Sequence, residues 1–520
     1  MTATPAPSSP ARAPWESHLF HGLLLGMLAL YLAPLWTARY LPMLDLPAHL
    51  SLASAYHHLG DPGSLASQVY EARDGVSPYW TFYGLVSALA HLMPFLAALK
   101  VVLSLTAVAI VLAFLLALHG FGRSRWLVFL IFPLLYDVNA SYGYVAFRLS
   151  VALALGGAGL LRRDLDAPRL WRQILLGALA LLTYFTHAHG FAMLVVLWGL
   201  VTLLAASRLG LRPLSRALLP LLPALALSAR WYLSALFAGA PGGRVVTPTL
   251  PLIRLLELIP HRLLNSLSDG RDELVAIGIL LVWTGLVAAS PRPEPPPELR
   301  GAARLRWHLG AHLPEIAAGL MLVAYFASPV QVLTPTQQIH GINYRFLIMI
   351  ALLAALVPRL ELRRWAALAV APALLLSATF GWVMLAEYRA FDARLRPSLD
   401  RALAAIPPRK RVLAFSYEVN DPRFAVPVFP HLVGYYCALK DGVSSLDQAF
   451  TSYAYMPVKL RDDRAHPIPP FPGPIDLRVF GARYDYILIA DRPGSQRAPF
   501  DVRLRPLLVE AGPFRVYRLH

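Results

Sequence analysis

The stretch YLPMLDLPAHLSLASAYHHL (residues 40–59) decides how this chain is read. It follows the first long apolar run and sets an acid, Asp45, a few residues beyond it, with His49 one helical turn later. Pro47 suits the first turn of a helix, where its missing N–H is no loss. The segment after it, AHLSLASAYHHL, carries too much serine and histidine to span a bilayer and is expected to lie along the membrane surface. Asp45 then has two readings. It caps the helix and complements its dipole, or it stands at the mouth of a cavity and takes a proton from a hydroxyl. Partial burial would raise its pKa toward usefulness for that task.

The rest of the chain puts that acid beside a membrane. Of 520 residues, 57% are hydrophobic and only 15% charged, against about a quarter charged in an ordinary soluble protein. Repeated apolar runs of about 18 residues fit bilayer-spanning helices, so the fold class is a polytopic α-helical membrane protein. The net charge of +17 does not point to nucleic acid. Most of it sits in short loops between apolar runs, the pattern that sets orientation in a membrane. Cys437 is the only cysteine, so no internal disulfide is expected. The first run, 19–37, lacks a basic leader and a clear cleavage site, and it reads as a retained span.

About eleven spans are expected, at 19–37, 78–95, 97–119, 143–161, 174–187, 190–207, 214–236, 273–290, 309–327, 344–360 and 365–386. The apolar piece 126–138 (WLVFLIFPLLYDV) is too short for a perpendicular helix and is expected not to cross. Counted this way, the basic runs 161–172, 207–216, 297–308 and 358–365 all fall on the cytoplasmic side with the N-terminus. Arg123 and Arg125 then fall on the outer side, against the trend. Residues 1–390 form the membrane domain, with outer loop 38–77 carrying Asp45. Residues 391–520 are richer in proline and charge. RVLAFSY (411–417), YDYILIA (484–490) and FRVYRL (514–519) are strand-like, so a small α/β or β-rich extracytoplasmic domain is expected there.

Other residues are expected on the outer face. Arg345 and Arg148 each begin a span, and a boundary arginine is costly unless paired. A guanidinium suits phosphate, whereas the bland reading is snorkelling to headgroups. Arg230 and Arg244 are weaker alternatives. His187 and His189 diverge on a helix and lack an acidic partner at metal spacing, so a substrate contact or packing is expected rather than a metal. Asp137 and Asn139 serve as a second acid and a sugar-binding amide, or as a polar turn. Glu71 and Asp74 are similar, with Arg73 between them. Gln337, Gln338, His340, Asn343 and Tyr344 form a polar cluster ahead of Arg345.

Five segments together resemble the GT-C membrane glycosyltransferases: LPMLDLPAHL (41–50), SPYWTFYGLVSALAHLMPF (77–95), YFTHAHGF (184–191), GINYRFL (341–347) and FGARYDYILIADRP (480–493). The chain departs from the metal-dependent oligosaccharyltransferases of that superfamily in lacking a paired-acid motif in the first loop. The resemblance implies a transferase in the cell's inner membrane that moves a sugar from a polyprenyl-phosphate or polyprenyl-diphosphate carrier to an unidentified acceptor on the outer face. It implies Asp45 as base in an inverting displacement, with no cofactor and no divalent metal indicated. Arg345, His187, His49, Arg148, Tyr344, Asp137 and Glu71 are the substrate-binding candidates. Membrane lipids and the lipid-linked sugar are the expected partners. A transporter or flippase of a lipid-linked or polar substrate is the alternative, but it predicts internal repeats and polar groups at mid-membrane, and neither is evident. A catalytically silent scaffold of the same shape is the third reading.

Overall fold

The computed structural model describes residues 14–73, 77–206, 211–237, 245–247, 251–256, 261–333, 338–360, 366–451, 455–462, 473–495, 497–501 and 505–520. Asp74, Arg244 and Gln337 lie outside the described residues. The chain begins with helix α1 (Pro14–Thr37), then α2 (Leu46–His58), α3 (Leu65–Val69), a short strand β1 (Tyr70–Ala72), α4 (Trp80–Ala90) and α5 (Phe95–Gly120). After two 3₁₀ turns, Arg125–Leu130 and Phe132–Tyr136, come α6 (Val138–Ser141), α7 (Val145–Asp166), α8 (Leu170–Thr186) and α9 (Ala188–Ala206). The second half of the membrane part holds α10 (Leu211–Leu218), α11 (Leu222–Phe237), β2 (Val245–Thr247), α12 (Pro251–Leu256), α13 (Arg271–Ala288), α14 (Gly301–Ala311) and α15 (Leu313–Ala327). Then follow β3 (Gln331–Leu333), β4 (Gln338–His340), α16 (Arg345–Ala355) and the long α17 (Ala366–Ala404).

Among the described residues, four helices are long and apolar enough to cross a membrane: Glu16–Thr37, Phe95–Gly120, Val145–Asp166 and Ala367–Ala404. The pair α14 and α15, bent by 70°, passes the same test as one broken span. Other expected spans are shorter apolar helices, including Leu170–Thr186, Ala188–Leu204 and Arg345–Ala355. The protein is a multi-pass helical membrane protein.

Two segments take a different form from the one expected. The run 78–95, read as a span, is an 11-residue helix, α4, packed along α2. His49 contacts Tyr83, and His57 contacts Ser87 near the far end. The His57 ring also meets Phe95 at the start of α5 (5.2 Å), and Lys100 donates to the carbonyl of Ala38. So α4 stays at the end of the molecule where α1 finishes. The piece 126–138 lies beside α1 from Glu16 to Tyr31. Trp126 Nε1 donates to Glu16 (3.3 Å), Phe132 packs on Tyr31, and Tyr136 donates to the Tyr31 carbonyl (2.8 Å). The physical reason is the 3₁₀ rise of about 2.0 Å per residue. Trp126 to Tyr136 then spans about 20 Å, close to the roughly 22 Å of α1 between Glu16 and Tyr31 at about 1.5 Å per residue.

The two misplaced arginines move as well. Arg125 lies over Phe20 near the start of α1, and Arg123 donates to Leu356 O (2.8 Å). With Arg292, Arg359 and Trp307, Arg123 lines a cleft of about 350 Å³. It therefore joins the basic loops at the end opposite Asp45.

The last part of the chain is built on a five-stranded sheet of order β6-β5-β8-β10-β9. Its strands are β5 (Arg411–Ser416), β6 (Val443–Ser444), β8 (Tyr486–Ala490), β9 (Leu507–Ala511) and β10 (Phe514–Arg518); β7 (Val458–Leu460) stands apart. β5 is parallel to β6 and β8, while β10 is antiparallel to β8 and β9. Helices α18 (Val433–Lys440), α19 (Ser445–Thr451) and α20 (Leu477–Phe480) complete it. The boundary placed at residue 390 falls inside α17, which continues into this unit. The unit is bound to the first loop. β7 pairs antiparallel with β1, Ser51 donates to the buried Asp447 (2.6 Å), and Leu41 N–H donates to Tyr435 (3.2 Å).

Candidate functional site

A cavity of about 480 Å³ opens where α2, α4, the 142–147 segment, α16 and the C-terminal unit meet. Its position follows from how the first loop is held. Leu44 and Asp45 donate their backbone N–H groups to the carbonyls of Ser141 and Tyr142, both at 3.0 Å. Gly143 makes this approach possible. Its φ is +80°, and a Cβ there would lie 2.7 Å from the Leu46 nitrogen, so a side chain is excluded by conformation and by space. On the opposite side, Gly434 of α18 abuts the carbonyl of Pro47 so closely that a Cβ would overlap it. The segment bearing Asp45 is clamped from both sides.

Asp45 occupies the N-cap position of α2, but its side chain makes no capping hydrogen bond. The carboxylate lines the cavity instead, with Oδ1 3.4 Å from Nε2 of His431. Burial pushes its pKa up to about 7, and the Arg345 guanidinium opposes that rise. A carboxylate so poised is divided between its acid and base forms near neutral pH. His49, one turn on, contacts the Tyr83 hydroxyl at 2.8 Å. Burial and the charge of Arg345 lower its pKa to about 4, so it is neutral at pH 7.

Arg345 is the first residue of α16. A cation there opposes the helix dipole, and the two positive poles together favour an anion. The guanidinium lies 4.9 Å from the centre of the Tyr144 ring and 5.9 Å from that of Phe147. Among the described residues it forms no ion pair with a carboxylate, and its Nε is buried without a hydrogen-bond partner. His187 sits in extended backbone between α8 and α9. Its Nδ1 accepts the His189 N–H (3.1 Å), which leaves Nε2 to donate to the Tyr79 hydroxyl (2.8 Å). Tyr79 has a left-handed backbone, φ +83°, and its ring stacks on Tyr455 at 4.5 Å. Such a conformation costs about 1–3 kcal/mol in a residue with a side chain, and strain of this kind gathers at functional sites.

Four of the eight residues singled out from the sequence therefore meet at one cavity: Asp45, His49, His187 and Arg345. The other four are placed elsewhere. Arg148 and Asp137 form a buried ion pair with each other at 3.0 Å, and Asp137 also holds Asn139 and the Ala140 N–H. Glu71 lies on β1 and pairs with Lys459 and Arg461. Tyr344 packs in an apolar cluster with Val138, Tyr325 and Leu347, under the guanidinium of Arg262. Arg230 is exposed on α11.

Sequence reading missed the tyrosine wall, Tyr79, Tyr83, Tyr142 and Tyr144, and the contribution of His431. A local signal existed for the first group, because SPYWTFY and SYGYVAF repeat aromatics at the starts of apolar runs. None existed for His431, which reaches Asp45 only through the tertiary fold. Among the described residues, no three His, Cys, Asp or Glu side chains come together in a metal-holding group.

No protein-family profile and no curated protein sequence matches the chain. Among solved structures it is similar to ArnT from Cupriavidus metallidurans bound to undecaprenyl phosphate, with a TM-score of 0.54 and 10% identity over 97% of this chain and 98% of that one. It also matches the mycobacterial arabinofuranosyltransferase AftD, with a TM-score of 0.48 and 16% identity over 96% of this chain and 41% of that one. At such identities the likeness is one of fold, and it extends over nearly the whole of ArnT: this chain has the fold of ArnT.

Proposed function

We propose that the chain is an integral membrane glycosyltransferase that moves a sugar from a polyprenyl-phosphate carrier to an acceptor hydroxyl on the outer face, with Asp45 as general base. The observation that carries this reading is that an uncapped carboxylate, Asp45, and an arginine without a carboxylate partner, Arg345, line the same cavity. The GT-C fold supports it, and so does the undecaprenyl phosphate bound to ArnT. Arg345 is the only lysine or arginine among the described residues of the lining. One fixed cation suits a monophosphate carrier better than a diphosphate, whose second charge would go unmatched.

In the step envisaged, Asp45 takes the proton of the acceptor hydroxyl while that oxygen bonds to the anomeric carbon. The bond from that carbon to the phosphate oxygen breaks, and its electron pair leaves on the phosphate. Arg345, the start of α16 and the nearby tyrosine hydroxyls receive the growing negative charge. The flat tyrosine faces give a sugar ring a surface to stack on.

The test compares wild type with Asp45→Asn in detergent, measuring turnover of a panel of polyprenyl-phosphate sugars and binding of undecaprenyl phosphate in parallel. The expected result is normal binding with turnover reduced by about 10²–10⁴-fold, the usual worth of a positioned base. Turnover undiminished in Asp45→Asn would remove the base from this mechanism.

A further inference from the structure

The C-terminal unit places a histidine against the carboxylate that the proposed reaction needs. His431 Nε2 lies 3.4 Å from Asp45 Oδ1, and both side chains are 18% exposed, half-closed against the same cavity. Nothing in this contact is local, because His431 comes 386 residues after Asp45 in the chain. Yet its position is heavily determined. The His431 carbonyl accepts the Gly434 N–H at 2.9 Å, and Gly434 in turn abuts Pro47, two residues from Asp45. Farther out, β7 is laced to β1, Arg73 N–H donates to Pro457 O (2.9 Å), and Ser51 donates to Asp447. These contacts fix the histidine relative to the first turn of α2.

We infer that His431 is a positioning residue for Asp45, an N–H donor supplied by the C-terminal unit that holds Oδ1 and leaves Oδ2 for the acceptor hydroxyl. This rests on the glycosyltransferase reading of the cavity. A neutral imidazole suits the task, because it orients a carboxylate and favours its ionised form without the full charge that would quench its basicity. Burial and the neighbouring His49 lower the pKa of His431 to about 4, so it remains neutral when Asp45 titrates. The other groups facing Asp45 are His49 from its own helix, Arg345 from α16, Tyr83 from α4, and Tyr142 and Tyr144 from the turn before α7. Of these only Arg345 is charged at neutral pH, and it opposes the rise that burial gives Asp45. The C-terminal unit is thereby part of the reaction centre, and it also contributes Pro427, Tyr455 and Met456 to the cavity wall.

The test titrates Asp45 directly, by infrared difference spectroscopy of its protonated carboxyl against an Asp45→Asn baseline, in wild type, His431→Leu and His431→Gln. Leucine removes the N–H donor, whereas the glutamine amide keeps one at similar reach. The expected result is an upward move of the Asp45 titration by about half to one pH unit in His431→Leu and less in His431→Gln. Turnover should fall about 10-fold in the leucine variant, whereas His431→Leu added to Asp45→Asn should cause no loss beyond that of Asp45→Asn alone. Undecaprenyl phosphate binding within about two-fold of wild type would show that the Arg345 side is intact and the variant folded. An Asp45 titration unmoved in His431→Leu overturns the inference, whatever happens to turnover. Failure of the wider reading is a different result: Asp45→Asn keeping full turnover would remove the base while the infrared titration still decided the contact.

Discussion

Asp137 and Asp45 lie at the same end of the molecule, each an acid near an arginine, and they do opposite things. Asp137 is fully buried and spent. Arg148 pairs with it at 3.0 Å, while Asn139 and the Ala140 N–H take up its remaining acceptor capacity. Arg148 is equally occupied, donating to the carbonyls of Leu134 and Leu135. Together they tie the end of the 3₁₀ segment to α7. Asp45 has the cap position of a helix but no cap bond, a contact with a neutral histidine, and an arginine that acts on it, with no ion pair between them among the described residues. What separates the two acids is the number of partners, not the residue type.

The largest effects should separate these two acids. Asp45→Asn should lose about 10²–10⁴-fold in turnover and leave thermal stability near that of wild type, because no cap or ion pair is broken. Asp137→Ala should do the reverse. It leaves Arg148 buried and unpaired, a loss of about 3–5 kcal/mol in the handful of systems where buried pairs have been cut. Thermal unfolding in detergent, set beside turnover of whatever protein survives, reads both. If Asp137→Ala kept its melting temperature and lost turnover, the roles assigned to the two acids would be reversed.

A smaller effect tests the clamp that keeps Asp45 out of its cap. Gly143→Ala puts a methyl group 2.7 Å from the Leu46 nitrogen at a φ of +80°, at a cost of about 1–3 kcal/mol in strain. Much of that strain should be relieved by moving the Leu44–Asp45 segment. Turnover should therefore fall by more than the stability loss alone explains, while Ala substitution at Gly22, where no atom lies within 4 Å, should do neither.

How much of this is legible in the chain depends on the range over which the physics acts. Residue chemistry at span boundaries is local, and it singles out Asp45, His49, His187 and Arg345, which do meet. It equally singles out Asp137 and Arg148, because nothing in the sequence shows that they face each other. The α2 segment is readable from its proline and its polarity, and the strands at 411, 484 and 514 from their β-branched and aromatic content. The segments 126–138 and 78–95 mislead for a geometric reason. Converting length to distance at the α-helical rise undervalues WLVFLIFPLLYDV in 3₁₀ geometry, and the mainly apolar character of 78–95 outweighs His91, which follows the end of α4 at Ala90. His431 is beyond reach because its role exists only once β7, α18 and the first loop have assembled.

The finest comparison is between Asp45 with and without the charge of Arg345. Burial raises the Asp45 pKa to about 7 and the guanidinium holds it below what burial alone would give. A base must be deprotonated to act, so kcat/KM should rise with pH through about 7 and level off above it, reporting the free enzyme. Arg345→Gln removes the restraining charge, so the Asp45 pKa rises and the whole acid limb should move to higher pH, by about one unit if the interaction is worth roughly 1.4 kcal/mol. The same variant weakens phosphate binding at every pH, which lowers the plateau without moving the limb. The two effects are separable in one profile: the plateau reports the phosphate contact and the midpoint reports the charge felt by the acid. A lowered plateau with an unmoved midpoint would mean that Arg345 serves the donor alone and that burial by itself sets the acidity of Asp45.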